Sequence, residues 1–550
     1  MHRRSLVAAL IMVAGGWWLM ARLEAQVRIP ESAWTVSRQL EEVEAVGRQL
    51  EEQRRWGEAL LHYEEAVRQH PGHTKLSERL LRARMHFEVA RRYSDSRFTT
   101  SIQRTSERAA LDLYNEVLAK IHSYYVHQPN WETLVTRGHE GLAVALTEAP
   151  FLERYRIPES LVRSRDFMAV IPANRAIRSR QEARDTVRSV AYAAQQQYGV
   201  PQSAVIYEYI CAAATSLDDY SAFLTGSQLD EVMSQIEGNF VGLGIELRAD
   251  TESLLILNVI SGGPAAESGI VAGERIVEVD GRSMREISTD TAADLLRGPE
   301  GSYVQVLMRS PEGSHRRLRI QRRRVEVPSV EKPTILDPTH GIAYLKINSF
   351  QKTTAADLES TLWQLHRHGM RSLMIDLRGN PGGLLTASVE VADKFLTEGV
   401  IVRTMGRSAG ENVEYKAHEL NTWQLPILLL IDENSASASE ILAGAIRDHR
   451  RGLVVGTRSF GKGSVQGIFP LDSGEGGIRL TTAKFYSPSG RAISRLGVEP
   501  DVTLQSAAKP NLDEVIEQLA DAKQPDVVLD GAVRLFRQQL EKQSVAASTR

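Results

Sequence analysis

The stretch LPILLLIDENSASASEILAGAIRDHR, residues 425–450, holds one strand-to-helix unit of an α/β layer. Its apolar start, Leu425 to Ile431, shows no polar alternation, which describes a strand buried on both faces. From Ser437 onward Ile441, Leu442, Ala445 and Ile446 recur at helical spacing. The turn between them offers three serines, Ser435, Ser437 and Ser439, at alternate positions. Such a turn has two readings. One is a helix N-cap among small residues; the other is a nucleophile presented on a strand-to-helix turn.

The sequence on either side continues the alternation. IAYLKINSF and SLMIDLRGN read as strands, as do GLVVG and IRLTTAKFYSP, while TTAADLESTLWQLHRHG and LTASVEVADKFL read as helices. An α/β layered domain follows, over residues 328–504. Three of its turns follow strands: DLRGNPGG, DENSASASE and RSFGKGSVQ. Active sites in open α/β sheets gather at the carboxyl ends of strands. A serine there needs a base within hydrogen-bond reach. His366, His368 and His449 sit at helix ends rather than in a glycine turn, whereas Lys462 lies between Gly461 and Gly463. A lysine serves as base if burial keeps it neutral near working pH.

Ahead of this domain, short strand-like runs with glycine turns extend over residues 238–327, from FVGLGIELR to RRLRIQRRRVEV. With GGPAAESGIVAGERIVEVDGRSM behind GLGI, the order resembles a PDZ domain, a β-sandwich-like module, in the permuted arrangement of bacterial proteases. That resemblance implies that Leu243, Gly244 and Ile245 hold a terminal carboxylate and pair with an extended peptide. RRLRIQRRR reads as a solvated edge strand rather than a nucleic-acid patch. The 66 basic and 69 acidic residues also give no bulk charge that would call for a nucleic-acid partner.

Residues 37–96 read as a helical hairpin, with Gly47, Leu50, Ala59, Tyr63, Ala66 and Pro71 spaced as in a tetratricopeptide repeat. Such a hairpin either docks an adaptor or packs on its neighbour. Residues 105–231 stay helical and lead into the domains that follow, and 505–550 form a polar helical tail. At the amino terminus MHRRS precedes the uncharged run Leu6–Met20. That run lies between a secretory h-region and a spanning helix in length. Residues 1–25 are therefore a cleaved signal peptide or a retained membrane anchor. Either sends the chain out of the cytoplasm, to the periplasm or its membrane face. Cys211 is the only cysteine, so neither an intrachain disulfide nor a cysteine metal cluster can form.

A PDZ domain followed by LRGNPGG, SASASE and FGKGSVQ resembles the carboxyl-terminal processing, or tail-specific, proteases, over roughly Tyr220 to Val502. LDDYSAFLTG and FYSPSGRAISRLGVEPDV extend the likeness. The resemblance implies a multidomain chain with a crotonase/Clp-like protease core. It makes Ser437 the nucleophile, Lys462 the general base and Gln466 the residue that orients the lysine. Its oxyanion hole maps to the backbone N–H groups of Gly383 and Ala438, where a helix N-terminus favours negative charge. The substrates implied are proteins with apolar C-termini; no metal or cofactor is implied. Two rival readings are a catalytically silent scaffold that binds protein tails, and crotonase-like chemistry on acyl-CoA. The intact Ser437, Lys462 and Gln466 disfavour the first, and the PDZ insertion disfavours the second.

Overall fold

The computed structural model describes residues 31–165, 167, 176–249, 252–285, 289–505 and 526–548. The address segment, residues 1–25, lies outside these. Among the described residues no helix is long and apolar enough to cross a membrane. The chain divides after Glu88 into two compact units.

In the first unit, helices Glu31–Glu52 and Trp56–Gln69 pack together. A Cβ on Gly47 would lie 2.2 Å from the Tyr63 hydroxyl, so the missing side chain is what admits the ring. Tyr63, Ala59 and Ala66 are buried, and the Tyr63 hydroxyl donates to Glu51 at 2.7 Å. The expected hairpin also has a third helix, Thr74–Ser94, whose Leu76, Leu80 and Ala83 complete the cluster. A two-helix reading stopped short because one hairpin cannot cover its own apolar face.

The second unit begins with helices around Gln202–Thr215, which is buried along nearly its whole length. Within it the fully buried Glu208 pairs with Arg92. Removing either partner would strand a charge in the core. This region does more than lead into the protease core. Its strand Ala222–Leu224 pairs antiparallel with Gly477–Tyr486 and so belongs to a core sheet.

The PDZ segment forms a main sheet in which Ile245–Ala249 is an edge strand, paired among the described residues only with Leu254–Val259. Helix Thr289–Leu296 packs beside that edge. The arginine run is only partly a solvated strand. Arg316, Arg317, Arg323 and Arg324 pair with Glu274, Glu278, Glu267 and Glu300. Arg322, however, is buried and donates to the carbonyls of Leu295 and Leu296. The last carbonyls of a helix have no partners within it, and the guanidinium supplies them.

The core sheet runs in the order Val330–Asp337, Ile342–Ile347, Ser372–Asp376, Ile427–Ile431, Leu453–Gly456, Val502–Thr503. Every pair after the first is parallel. The unalternating strand Ile427–Ile431 is buried at every position. Ile427, Leu429 and Ile431 face the helices Thr354–Arg367, Leu385–Asp393 and Ala438–Asp448. Leu428 and Leu430 face the other side, where Ala532 and Phe536 of the tail helix Val527–Ser548 complete the core. The polar tail is thus a structural layer of the sheet. Its Asp526 also holds Arg378 of the DLRGNPGG turn at 2.7 Å.

Candidate active site

The three turns meet at the carboxyl ends of parallel strands. Ser437 caps helix Ala438–Asp448 with φ 55° and ψ −112°. A side chain in that region carries strain, on the order of 1–3 kcal/mol, and persists only where neighbours enforce it. Gly382 is one such neighbour. A Cβ there, at φ +106°, would sit 2.7 Å from the Ser437 Cβ. Asn380 is another, since it is fully buried and its carbonyl accepts the Ala436 N–H at 3.0 Å.

The opening choice between cap and nucleophile now separates the three serines. Ser435 is buried and its Oγ donates to the Leu377 carbonyl at 2.8 Å. Ser439 is buried inside the helix rather than at its cap, donating to the Asn380 carbonyl at 3.1 Å. Ser437 alone of the three lines a cleft of about 1430 Å³.

Lys462, Gln466 and Gly383 line the same cleft. So do Phe350, Leu384, Tyr415 and Phe485, which give it an apolar wall. Burial brings the Lys462 ammonium down to about 8, and the nearby Arg479 cation pushes the same way. Glu440 and Asp218 oppose that shift. The Nζ lies 4.9 Å from the centre of the Tyr220 ring. Among the described residues Ser437 and Lys462 make no hydrogen bond to each other. Catalytic contacts of this kind commonly tighten only when substrate binds. Gln466 does not reach the lysine as expected either. Its amide donates to Ser464 Oγ at 2.9 Å and to the Ser464 carbonyl at 3.2 Å.

Gly383, at φ +138°, is held by Phe350, whose carbonyl accepts the Leu384 N–H at 2.7 Å. A Cβ on Gly383 would lie 2.1 Å from that carbonyl, so no other residue fits. The N–H groups of Gly383 and Ala438 take no partner among the described residues. The three histidines lie elsewhere. His449 bonds the Val400 carbonyl, His368 bonds the Gln364 carbonyl, and His366 packs against Trp363 and Trp423.

In the PDZ segment, Leu243 is buried and Gly244 takes φ +78°. Their carbonyls accept from Ala265 and Ile260, both at 2.9 Å. This fixes the loop at the head of the open edge strand that starts at Ile245. Arg297, Gly298 and Pro299 of the same domain line the cleft.

One residue of the site was missed from sequence. The fully buried Glu440 accepts from both the serine turn and the lysine loop. Its place at the end of SASASE, one helical turn after Ser437, was the available signal.

Comparison with known proteins gives the family. Residues 341–504 match the model of peptidase family S41, and 255–307 match that of the PDZ domain. The carboxy-terminal-processing protease of Bartonella bacilliformis is 36% identical over 53% of this chain and 67% of its own length. The chloroplastic C-terminal processing peptidase of Tetradesmus obliquus is 32% identical over 60% of this chain and 73% of its own. A solved photosystem II D1 C-terminal processing protease is 27% identical, with a TM-score of 0.40 over 76% of this chain and 99% of that one. The chain therefore belongs to the carboxyl-terminal-processing proteases, PDZ-bearing serine peptidases of family S41.

Proposed function

We propose that this chain is an endopeptidase that cleaves protein substrates near apolar C-termini with a Ser437–Lys462 dyad. The observation that carries the reading is the shared cleft. It joins the one cleft-lining serine of the SASASE turn to a lysine whose proton is loosened by burial. Neutral Lys462 takes the Ser437 proton as Oγ bonds to the scissile carbonyl carbon. The oxyanion rests on the Gly383 and Ala438 amides. Protonated Lys462 then gives its proton to the leaving amine as the C–N bond breaks, and water hydrolyses the acyl-enzyme. Gln466 takes its orienting role by turning its amide from Ser464 to Lys462.

A substrate tail adds as a strand to the open Ile245–Ala249 edge, its carboxylate on the Leu243–Gly244–Ile245 backbone. The PDZ domain then delivers the tail to the cleft it lines or, when empty, blocks that cleft. The amino-terminal basic and apolar run supports an extracytoplasmic, periplasm-facing location, membrane-attached if that run is retained. The amino-terminal helical hairpin either docks an adaptor or packs on its neighbour.

A fluorophosphonate probe tests the chemistry. Peptide mapping is expected to find the label on Ser437, with no labelling of Ser437→Ala; a label on another serine contradicts the reading. Amidating the substrate's terminal carboxylate tests recognition. A lost charge-assisted contact lowers kcat/KM on the order of tenfold. Equal cleavage of free and amidated tails would remove the PDZ loop from recognition.

A further inference from the structure

Glu440 is fully buried, yet four groups donate to its one carboxylate. Oε1 accepts from Ser459 Oγ at 2.6 Å and from the Gly461 N–H at 2.7 Å. Oε2 accepts from the Ser437 N–H at 2.8 Å and from the Lys462 N–H at 2.9 Å. Three of the four donors are backbone amides, which can only donate. A buried carboxylate is expensive unless its lone pairs are satisfied, and here every oxygen serves two partners. Those partners come from two separate stretches of chain, the serine turn and the glycine–lysine loop. The bond to the Ser437 N–H also lies on the one residue of the turn with a strained backbone. The carboxylate therefore does what neither loop can do alone: it fixes the spacing between them.

We propose that Glu440 is a positioning residue for the reaction, its single buried carboxylate clamping the Ser437 turn to the Lys462 loop so that nucleophile and base keep register. The proposal rests on the Ser437–Lys462 reading. Glutamine at 440 would bring an NH₂ group against two donors and open the clamp. Misplacement of reacting groups by about 1 Å costs on the order of 100-fold.

Charge gives a second readout. The groups facing Lys462 are the cation of Arg479, the anions of Glu440 and Asp218, and the ring of Tyr220. Glu440 favours the protonated lysine, so removing its charge makes Lys462 lose its proton at lower pH. A residue that merely stabilised the fold would not move that limb.

The experiment compares kcat, KM and the pH profile of kcat/KM for wild type, Glu440→Gln, Glu440→Asp and Lys462→Ala, with folding checked by circular dichroism. Glu440→Gln is expected to lose on the order of 100-fold in kcat with KM nearly unchanged, and its alkaline-rising limb is expected at lower pH. Glu440→Asp, shorter but still charged, is expected to lose kcat with the limb in place. If Glu440→Gln does not fold, Ser459→Ala removes one donor and keeps the charge. It is then expected to lower kcat severalfold at constant KM, and unchanged kcat overturns the clamp. Wild-type kcat and an unmoved limb in Glu440→Gln, beside an inactive Lys462→Ala, overturn the proposal and leave the dyad standing. An active Lys462→Ala overturns the dyad reading itself, and the proposal with it.

Discussion

Ser437→Ala is expected to abolish cleavage, with kcat falling on the order of 10⁴- to 10⁶-fold, as when the nucleophile of a serine protease is removed. The same variant is expected to bind tail peptides as the wild type does, because the PDZ edge strand is separate from the serine turn. Ser435→Ala and Ser439→Ala act differently. Each removes one of two donors to a carbonyl, Leu377 keeping the Asn380 N–H and Asn380 the Ala436 N–H, at a cost of about 0.5–1.5 kcal/mol of stability. Both are expected to keep far more activity than Ser437→Ala when folded. Steady-state cleavage and peptide binding, measured on all three variants, check this. If Ser439→Ala were the dead variant and Ser437→Ala active, the nucleophile would be misassigned.

Lys462→Arg is expected to be as inactive as Lys462→Ala, a loss of at least about 10³-fold. Arginine keeps the charge and most of the length. A residue that only stabilised negative charge would therefore tolerate the exchange. A general base must give up its proton, and a guanidinium with a pKa above about 12 does not. The half-buried Lys462 site, beside Arg479, is suited to a group that can become neutral. Substantial turnover by folded Lys462→Arg would rule out the base role. It would also reopen the histidines, although His449 and His368 are each committed to a carbonyl.

What the sequence made legible was local. An apolar run without alternation had to be a doubly covered strand, and Ile427–Ile431 is one. Glycine at 383 follows from a backbone that must pass against the Phe350 carbonyl, a demand visible in NPGG as a motif. What stayed hidden depends on closure between distant segments. Nothing near Arg322 in sequence says that it caps a helix ending at Leu296. The tail helix reads as polar because only part of it, around Ala532 and Phe536, is buried against the sheet. Glu440 reads as an ordinary first-turn acid, a favoured position at any helix N-terminus. Only the approach of the lysine loop turns it into a clamp. Gln466 marks the opposite case. The family likeness assigns it to the lysine, while in this arrangement its amide is held by Ser464.

The central claim is that Lys462 works as a neutral base, and the pH dependence of kcat/KM tests it most directly, since that profile reports the free enzyme's essential groups. Because the lowered pKa belongs to the proposed base, which would act without its proton, the rate is expected to rise with pH through a midpoint of about 8. Fluorophosphonate labelling of Ser437 is expected to follow the same limb, and Lys462→Arg to show neither. A limb centred near 6.5, the ordinary range of a histidine, and retained in Lys462→Arg would contradict the account.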